Sequence, residues 1–137
     1  MTYMDRQDVL NRVHAHLMAQ GVPCGRMEEA NNFEGETHSM FKCRYRGDAY
    51  DMPGLKCAIG ALITDEHYYP DMDIEAMPVV AVLDEVYASL GVEHERQGDR
   101  FFLEALQRVH DKFPPAEWLD RLAAVAAKWE LTAPGAA

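Results

Sequence analysis

The most patterned part of the chain reads Phe41-Lys-Cys-Arg-Tyr-Arg-Gly47 and, after a turn, Gly54-Leu-Lys-Cys-Ala-Ile-Gly-Ala-Leu-Ile-Thr-Asp-Glu66. From Met40 to Arg46, apolar or aromatic side chains alternate with basic ones, a period of two that is typical of a half-buried strand. Residues 47–54 contain turn formers, and the alternation resumes from Leu55 to Ile59. The pattern predicts a β-hairpin, and Cys43 and Cys57 share a face of it if the strands are antiparallel in that register.

The segment from Ala58 to Ile63 also fits a second interpretation. It could begin a helix in which Gly60 and Ala61 allow a neighbouring backbone to approach closely. Both interpretations stay open, because register cannot be read from sequence.

Four helices are predicted around the hairpin from apolar residues at helical spacing. The first runs from about Asp5 to Gln20 and ends at Gly21. Its apolar face comprises Val9, Leu10, Val13, Leu17 and Met18. The other three cover about 78–90, 99–113 and 116–131. The expected fold is α+β: one domain, residues 1–137, in which a small antiparallel β-hairpin packs against four to five α-helices.

Two segments lack such periodicity. Residues 22–38 contain Pro, Gly, Asn and several acids, and they are predicted to form a mobile loop. Residues 132–137 are predicted to be a frayed tail.

Composition excludes several classes of protein. A chain of 137 residues that is 48% hydrophobic and 26% charged is ordinary for one globular domain. No apolar run approaches the roughly 18 residues that a membrane span needs, and the first residues lack a secretory signal, so a cytoplasmic protein is expected. Its three cysteines are an odd number, which favours free thiols over a disulfide framework.

The net charge of −10 is unevenly distributed along the chain. Between Cys57 and Glu95 there is no Lys or Arg, whereas nine acidic residues fall there. A surface of this sign repels nucleic acid and attracts basic surfaces. The candidate partner-binding residues are Asp65, Glu66, Asp71, Asp73, Glu75, Asp84 and Glu85.

A longer motif links the hairpin with the C-terminal helices. It reads Cys43-x-Tyr45-Arg46-Gly47, a turn, Gly54-x-Lys56-Cys57-Ala58-x-Gly60-x-Leu62-Ile63-x-Asp65-Glu66-x-Tyr68, and later Leu106-Gln107-x-x-His110-Asp111 and Trp118. This order resembles a family of small proteins encoded by tailed phages and prophages, although the turn at 48–53 is longer here. The resemblance implies a phage accessory protein acting in the host-cell cytoplasm, and it implies nothing about chemistry.

Three functions from different classes are therefore considered. The first is binding of a host protein with a basic surface through the acidic residues, as an inhibitor of host defence or of nucleic-acid-handling machinery, without direct contact to nucleic acid or membrane. The second is sequestration of a nucleotide or another small molecule in a pocket between the hairpin and the C-terminal helices. The pocket residues would be Tyr45, Arg46, Gln107, His110 and Asp111.

The third function is a metal- or thiol-dependent enzyme, although a protein without catalytic activity is favoured. Zinc accepts thiolate and imidazole ligands, so Cys43, Cys57 and His110 are its candidate ligands. Cys57 with His110 is also conceivable as a nucleophile and its base. For the thiols, the alternative is that they are packed core residues. Gln107 shares a helix face with His110 or Asp111, and this polar edge could meet Tyr45 or Arg46 across the hairpin. A buried hydrogen-bond network that locks the helix to the hairpin is favoured there over a ligand site, since buried polar groups need partners whatever their purpose.

Overall fold

The computed structural model describes residues 2–31 and 34–135. Within them the α-helices are α1 (Arg6–Gln20), α2 (Asp71–Ile74), α3 (Leu83–Leu90), α4 (Asp99–Lys112) and α5 (Trp118–Lys128), and the strands are β1 (Gly25–Asn31) and β2 (Thr37–Cys43). Short 3₁₀ helices cover Asp48–Tyr50, Gly60–Leu62, Val79–Val82 and Pro115–Glu117. The two strands form an antiparallel hairpin beside the helices, which confirms the α+β prediction.

The strands of the hairpin are not the predicted pair. β2 pairs with β1 in a register that runs from Gly25 opposite Cys43 to Asn31 opposite Thr37. The predicted partner, residues 55–59, is not a strand, and β1 lies inside the predicted loop 22–38. The predictions of a strand at 55–59 and of a loop at 22–38 were therefore wrong. Most of the hairpin is exposed on both faces, so β1 has no alternation of apolar and polar residues that its sequence could show. Residues 32 and 33 of that predicted loop lie outside the described part of the chain.

The segment after the turn is buried against the backbone of Tyr45. Cys57, Ala58, Ile59 and Gly60 are all fully buried. A Cβ atom on Gly60 would collide with the carbonyl oxygen of Tyr45 and would lie 2.9 Å from its carbonyl carbon. The predicted close backbone approach at Gly60 is therefore confirmed, and the approach requires a residue without a side chain.

The helices enclose the core much as their apolar spacing predicts. On α1, four of the five predicted apolar residues are buried, whereas Met18 is 39% exposed. The side chain of Asp5 caps the helix by accepting the N–H of Asp8 at 3.0 Å, and Gly21 ends it in the left-handed conformation. The predicted helix 78–90 is a 3₁₀ turn followed by α3. α4 packs against both α1 and α5, so its polar inner residues lie close to the core.

The described part of the predicted tail is anchored to α1. The side chain of Gln7 accepts the N–H of Thr132 at 2.8 Å and donates to its carbonyl oxygen at 3.0 Å. Both bonds are made by Thr132, the first residue of the segment that was predicted to fray, and residues 136 and 137 lie outside the described residues.

Candidate functional site

The inner face of α4 carries a polar edge that meets the hairpin. Gln107 and His110 are buried, and Asp111 is half-buried beside them. Residues three and four apart share a helix face, so Gln107 can reach both of the others. The edge meets the hairpin, as predicted, but Gln107 and His110 contact it at Cys43, the last residue of β2, where Tyr45 or Arg46 was expected.

His110 is held in one tautomer by its neighbours. The backbone N–H of Cys24 donates to Nε2 at 2.8 Å, so Nε2 carries no proton. The proton of the neutral ring is therefore on Nδ1, which donates to Oδ1 of Asp111 at 2.8 Å. The ring also stacks on Trp118, with 5.8 Å between the ring centroids. Nε2 therefore joins α4 to the residue that precedes β1, and Nδ1 is occupied by Asp111 of the same helix.

Gln107 makes a second connection between α4 and the rest of the core. Its Oε1 accepts the backbone N–H of Ile59 at 3.0 Å. Its Nε2 lies 2.9 Å from both the sulfur of Cys43 and Oδ1 of Asp111. All these groups are partnered, which is the pattern of a buried network that fixes β2, the Cys57–Gly60 segment and α4 against one another.

Two thiols of this region, Cys24 and Cys43, are poor nucleophiles because their thiolate forms are disfavoured. The hydrogen bond with Cys57, burial and the negative charge of Asp111 all raise the pKa of Cys43 above its usual range. Burial raises the pKa of Cys24 to about 12. Cys57 is fully buried, and its sulfur accepts the N–H of Gly60 at 3.3 Å. The imidazole nitrogen that could act as a base is already occupied by the N–H of Cys24, so the predicted pair of Cys57 and His110 lacks a free base.

A cluster of possible metal ligands does form, but not the predicted one. Within the described residues, ligand atoms of Cys43, His110 and Asp111 lie within 4.8 Å of one another, and Cys57 is not among them. A metal ion bound to Nδ1 would displace the proton that Nδ1 donates to Asp111. The neutral ring would then carry its proton on Nε2, where it would face another donor, the backbone N–H of Cys24. The donor set as arranged therefore fits a hydrogen-bond network and does not fit a metal.

Two of the predicted pocket residues have structural partners. The hydroxyl of Tyr45 donates to the carbonyl of Met77 at 2.7 Å. The guanidinium of Arg46 pairs with Asp65 at 2.6 Å and lies 4.4 Å from the ring centre of Tyr68. Both groups are therefore engaged by other parts of the protein, whereas Nε of Arg46 is buried without a hydrogen-bond partner among the described residues.

A cleft nevertheless lies between the hairpin and α4. Its volume is about 430 Å³, and its walls come from β2, α4 and the segment between α2 and the following 3₁₀ turn. Tyr45, Gln107 and Asp111 line it, whereas Arg46 and His110 do not. The third wall, residues 76–79, was missed by sequence reasoning because it is a connection without periodicity.

Two of the seven predicted partner-binding residues have partners within the protein. Asp73 is 1% exposed, and its carboxylate accepts the N–H groups of Tyr45 and Arg46 and the hydroxyl of Tyr68 at 2.6, 3.2 and 2.7 Å. It anchors the end of the hairpin and is no part of a docking surface. Asp65 is exposed but is neutralised by Arg46.

The other five carboxylates remain exposed or half-buried on α2, α3 and their flanks. We name this set the acidic surface: Glu66, Asp71, Glu75, Asp84 and Glu85. None of the ion pairs or hydrogen bonds found between described residues uses their side chains. Burial and the charges of Glu85 and Asp71 raise the pKa of Tyr69, which indicates that these two acids lie near the same hydroxyl.

Comparisons with protein-family models, with curated proteins and with solved structures gave no significant match. No helix in the described ranges is long and apolar enough to cross a membrane.

Proposed function

We propose that this protein is a phage-encoded accessory protein that binds a host protein and modulates it through the acidic surface. The observation that carries the proposal is the exposure of five carboxylates without a cationic partner among the described residues, in a part of the chain that contains no Lys or Arg. The phage context rests on the motif resemblance alone.

The electrostatics favour a basic partner. The acids at the start of α2 and α3 face the positive ends of the helix dipoles, which offset only part of a full negative charge. No basic residue lies in the last turn of either helix, so neither helix supplies a cation there to balance them. Such a field speeds and orients docking more than it sets the final affinity. A host protein that handles nucleic acid, as an enzyme or as a defence component, offers the required cationic surface, and the protein would compete there with nucleic acid without binding it.

Matched charge variants test this function. D71N/D84N/E85Q removes three charges from the acidic surface. D8N/D120N/E130Q removes three charges elsewhere, and Asp8 and Asp120 also lie in the first turns of helices, so both variants lose similar helix-dipole interactions. Each protein is immobilised and exposed to a bacterial host extract at low and at several-fold higher salt, and retained proteins are identified by mass spectrometry.

Wild type and the control variant are expected to retain the same basic protein at low salt and to lose it at high salt. The surface variant is expected to lose it at both. Retention of the same protein by the surface variant, or capture that does not respond to salt, would show that the acidic surface is not the binding site.

A further inference from the structure

The cleft beside the hairpin runs along a free strand edge. Four consecutive residues of β2, from Met40 to Cys43, line it. Successive side chains of a strand point to opposite faces of the sheet. Because consecutive residues of β2 line the cleft, the cleft borders the edge of the sheet as well as one of its faces. In the described part of the chain the sheet consists of β1 and β2 alone, and β1 covers the other edge of β2.

The ladder shows which backbone groups point into the cleft. The N–H of Arg44 donates to the carbonyl of Cys24 at 2.9 Å, so residue 44 and every second residue before it face β1. The N–H and C=O groups of Phe41 and Cys43 therefore point away from β1, toward the free edge. No hydrogen bond found between described residues outside the ladder uses them.

The opposite wall suits side chains of an added strand. It is formed by apolar residues of α2 and of the segment that follows it, and these are Met72, Ala76, Met77, Pro78 and Val79. Met40, at the edge of the cleft, is 43% exposed, so apolar surface is left uncovered there. A strand added to a sheet edge gains affinity from main-chain hydrogen bonds and specificity from the pockets that receive alternate side chains.

The charges around the cleft differ in sign from the rest of the molecule. Three of the thirteen basic residues, Lys42, Arg108 and Lys112, line it, and none of them is in an ion pair among the described residues. The two acids of the lining are Glu104 and Asp111, and Asp111 is already held by His110 and Gln107. In a protein of net charge −10, this rim favours an anionic occupant.

We propose that the cleft binds an extended peptide segment with alternating apolar and acidic residues, which adds to β2 as a third strand. The peptide pairs with the backbone of Phe41 and Cys43, places apolar side chains against Met77 and Val79, and directs its carboxylates to the cationic rim. None of the residues that line the cleft belongs to the acidic surface, so either proposal can fail without the other.

The test uses the isotope-labelled full chain and the blocked peptide acetyl-Glu-Val-Glu-Val-Glu-Val-Glu-amide. On binding, the amides of Phe41 and Cys43 are expected to become protected from hydrogen exchange, whereas the amide of Lys42, already in the ladder, is expected to change little.

Two further peptides carry N-methyl groups on every Val or on every Glu. One of them is expected to lose binding and the other to keep it, because only alternate peptide N–H groups face β2. Equal binding by the two methylated peptides, or no protection at Phe41 and Cys43, would overturn the proposal.

Charge and size controls complete the experiment. R108Q/K112Q is expected to weaken binding by about three- to tenfold, and R12Q/K128Q, which removes two exposed cations elsewhere, by less than about twofold. A Lys-Val peptide of the same length is expected to bind more weakly than the Glu-Val peptide, and equal affinity would refute the acidic preference.

Decanoate is the small-molecule comparator. If decanoate binds at the cleft and the peptide does not, the site takes a small amphiphilic acid and the strand proposal is wrong.

Discussion

The replacement of Asp73 by Asn tests whether this carboxylate is a structural anchor. In the native protein its two oxygens accept two backbone N–H groups and one hydroxyl. An Asn side chain keeps one accepting oxygen and presents an NH₂ group in place of the other. The hydroxyl of Tyr68 can rotate to accept from that group, but one backbone N–H then faces a donor. An unpaired buried donor costs about 1–3 kcal/mol, and with the loss of charge-assisted bonds we expect D73N to lower the free energy of unfolding by about 2–4 kcal/mol.

The assay is urea unfolding of D73N beside two comparison variants. E75Q removes the same charge two residues away from an exposed carboxylate, and it is expected to change stability by less than about 0.5 kcal/mol. Y68F removes a single hydrogen bond to Asp73 and is expected to cost about 1 kcal/mol, which gives a graded reading if D73N does not fold. Equal stability of D73N and E75Q would show that Asp73 is not a buried anchor, and Asp73 would again be a candidate residue of the docking surface.

Three other changes have expected outcomes in the same unfolding assay. G60A is expected to cost about 1–3 kcal/mol, because its methyl group would meet the backbone of Tyr45; wild-type stability would contradict the close approach. Q107L is expected to cost about 1–3 kcal/mol, since the N–H of Ile59 loses its acceptor, and a neutral result would show that water replaces it. Burial raises the pKa of Cys24 to about 12 in the folded protein. As pH rises above about 9, the unfolded state therefore loses the thiol proton before the folded state does, and the free energy of unfolding falls between about pH 9 and pH 12. C24A is expected to flatten that alkaline decline by up to about 1.4 kcal/mol per pH unit, and an unchanged slope would contradict the assignment.

The helices were predictable because their burial is one-sided. Val9, Leu10, Val13 and Leu17 recur at helical spacing on α1, and the same faces form the core. The polar edge of α4 was predictable for a related reason: Gln107 and His110 interrupt an apolar stripe, so they had to find partners inside the protein. Gly60 was visible as a small residue among large apolar ones.

The hairpin and the acidic surface could be predicted only in part. β1 is stabilised by pairing with β2 and not by burying one face, so its sequence carries no period. Asp71 and Asp73 lie two positions apart on either side of Met72, yet Asp73 is buried and Asp71 is exposed. That difference depends on where the backbone of Tyr45 and Arg46 lies after folding, which a local sequence pattern does not encode.

The contacts of His110 affect the order in which the chain can fold during its synthesis. Its ring joins the backbone of Cys24, 86 positions earlier, and approaches Cys43, 67 positions earlier. Contacts between such distant positions close large loops and form late. The hairpin can therefore pair soon after it leaves the ribosome, but it is not fixed to the core until α4 has emerged, and the apolar segment around Ile59 has to wait for the same event.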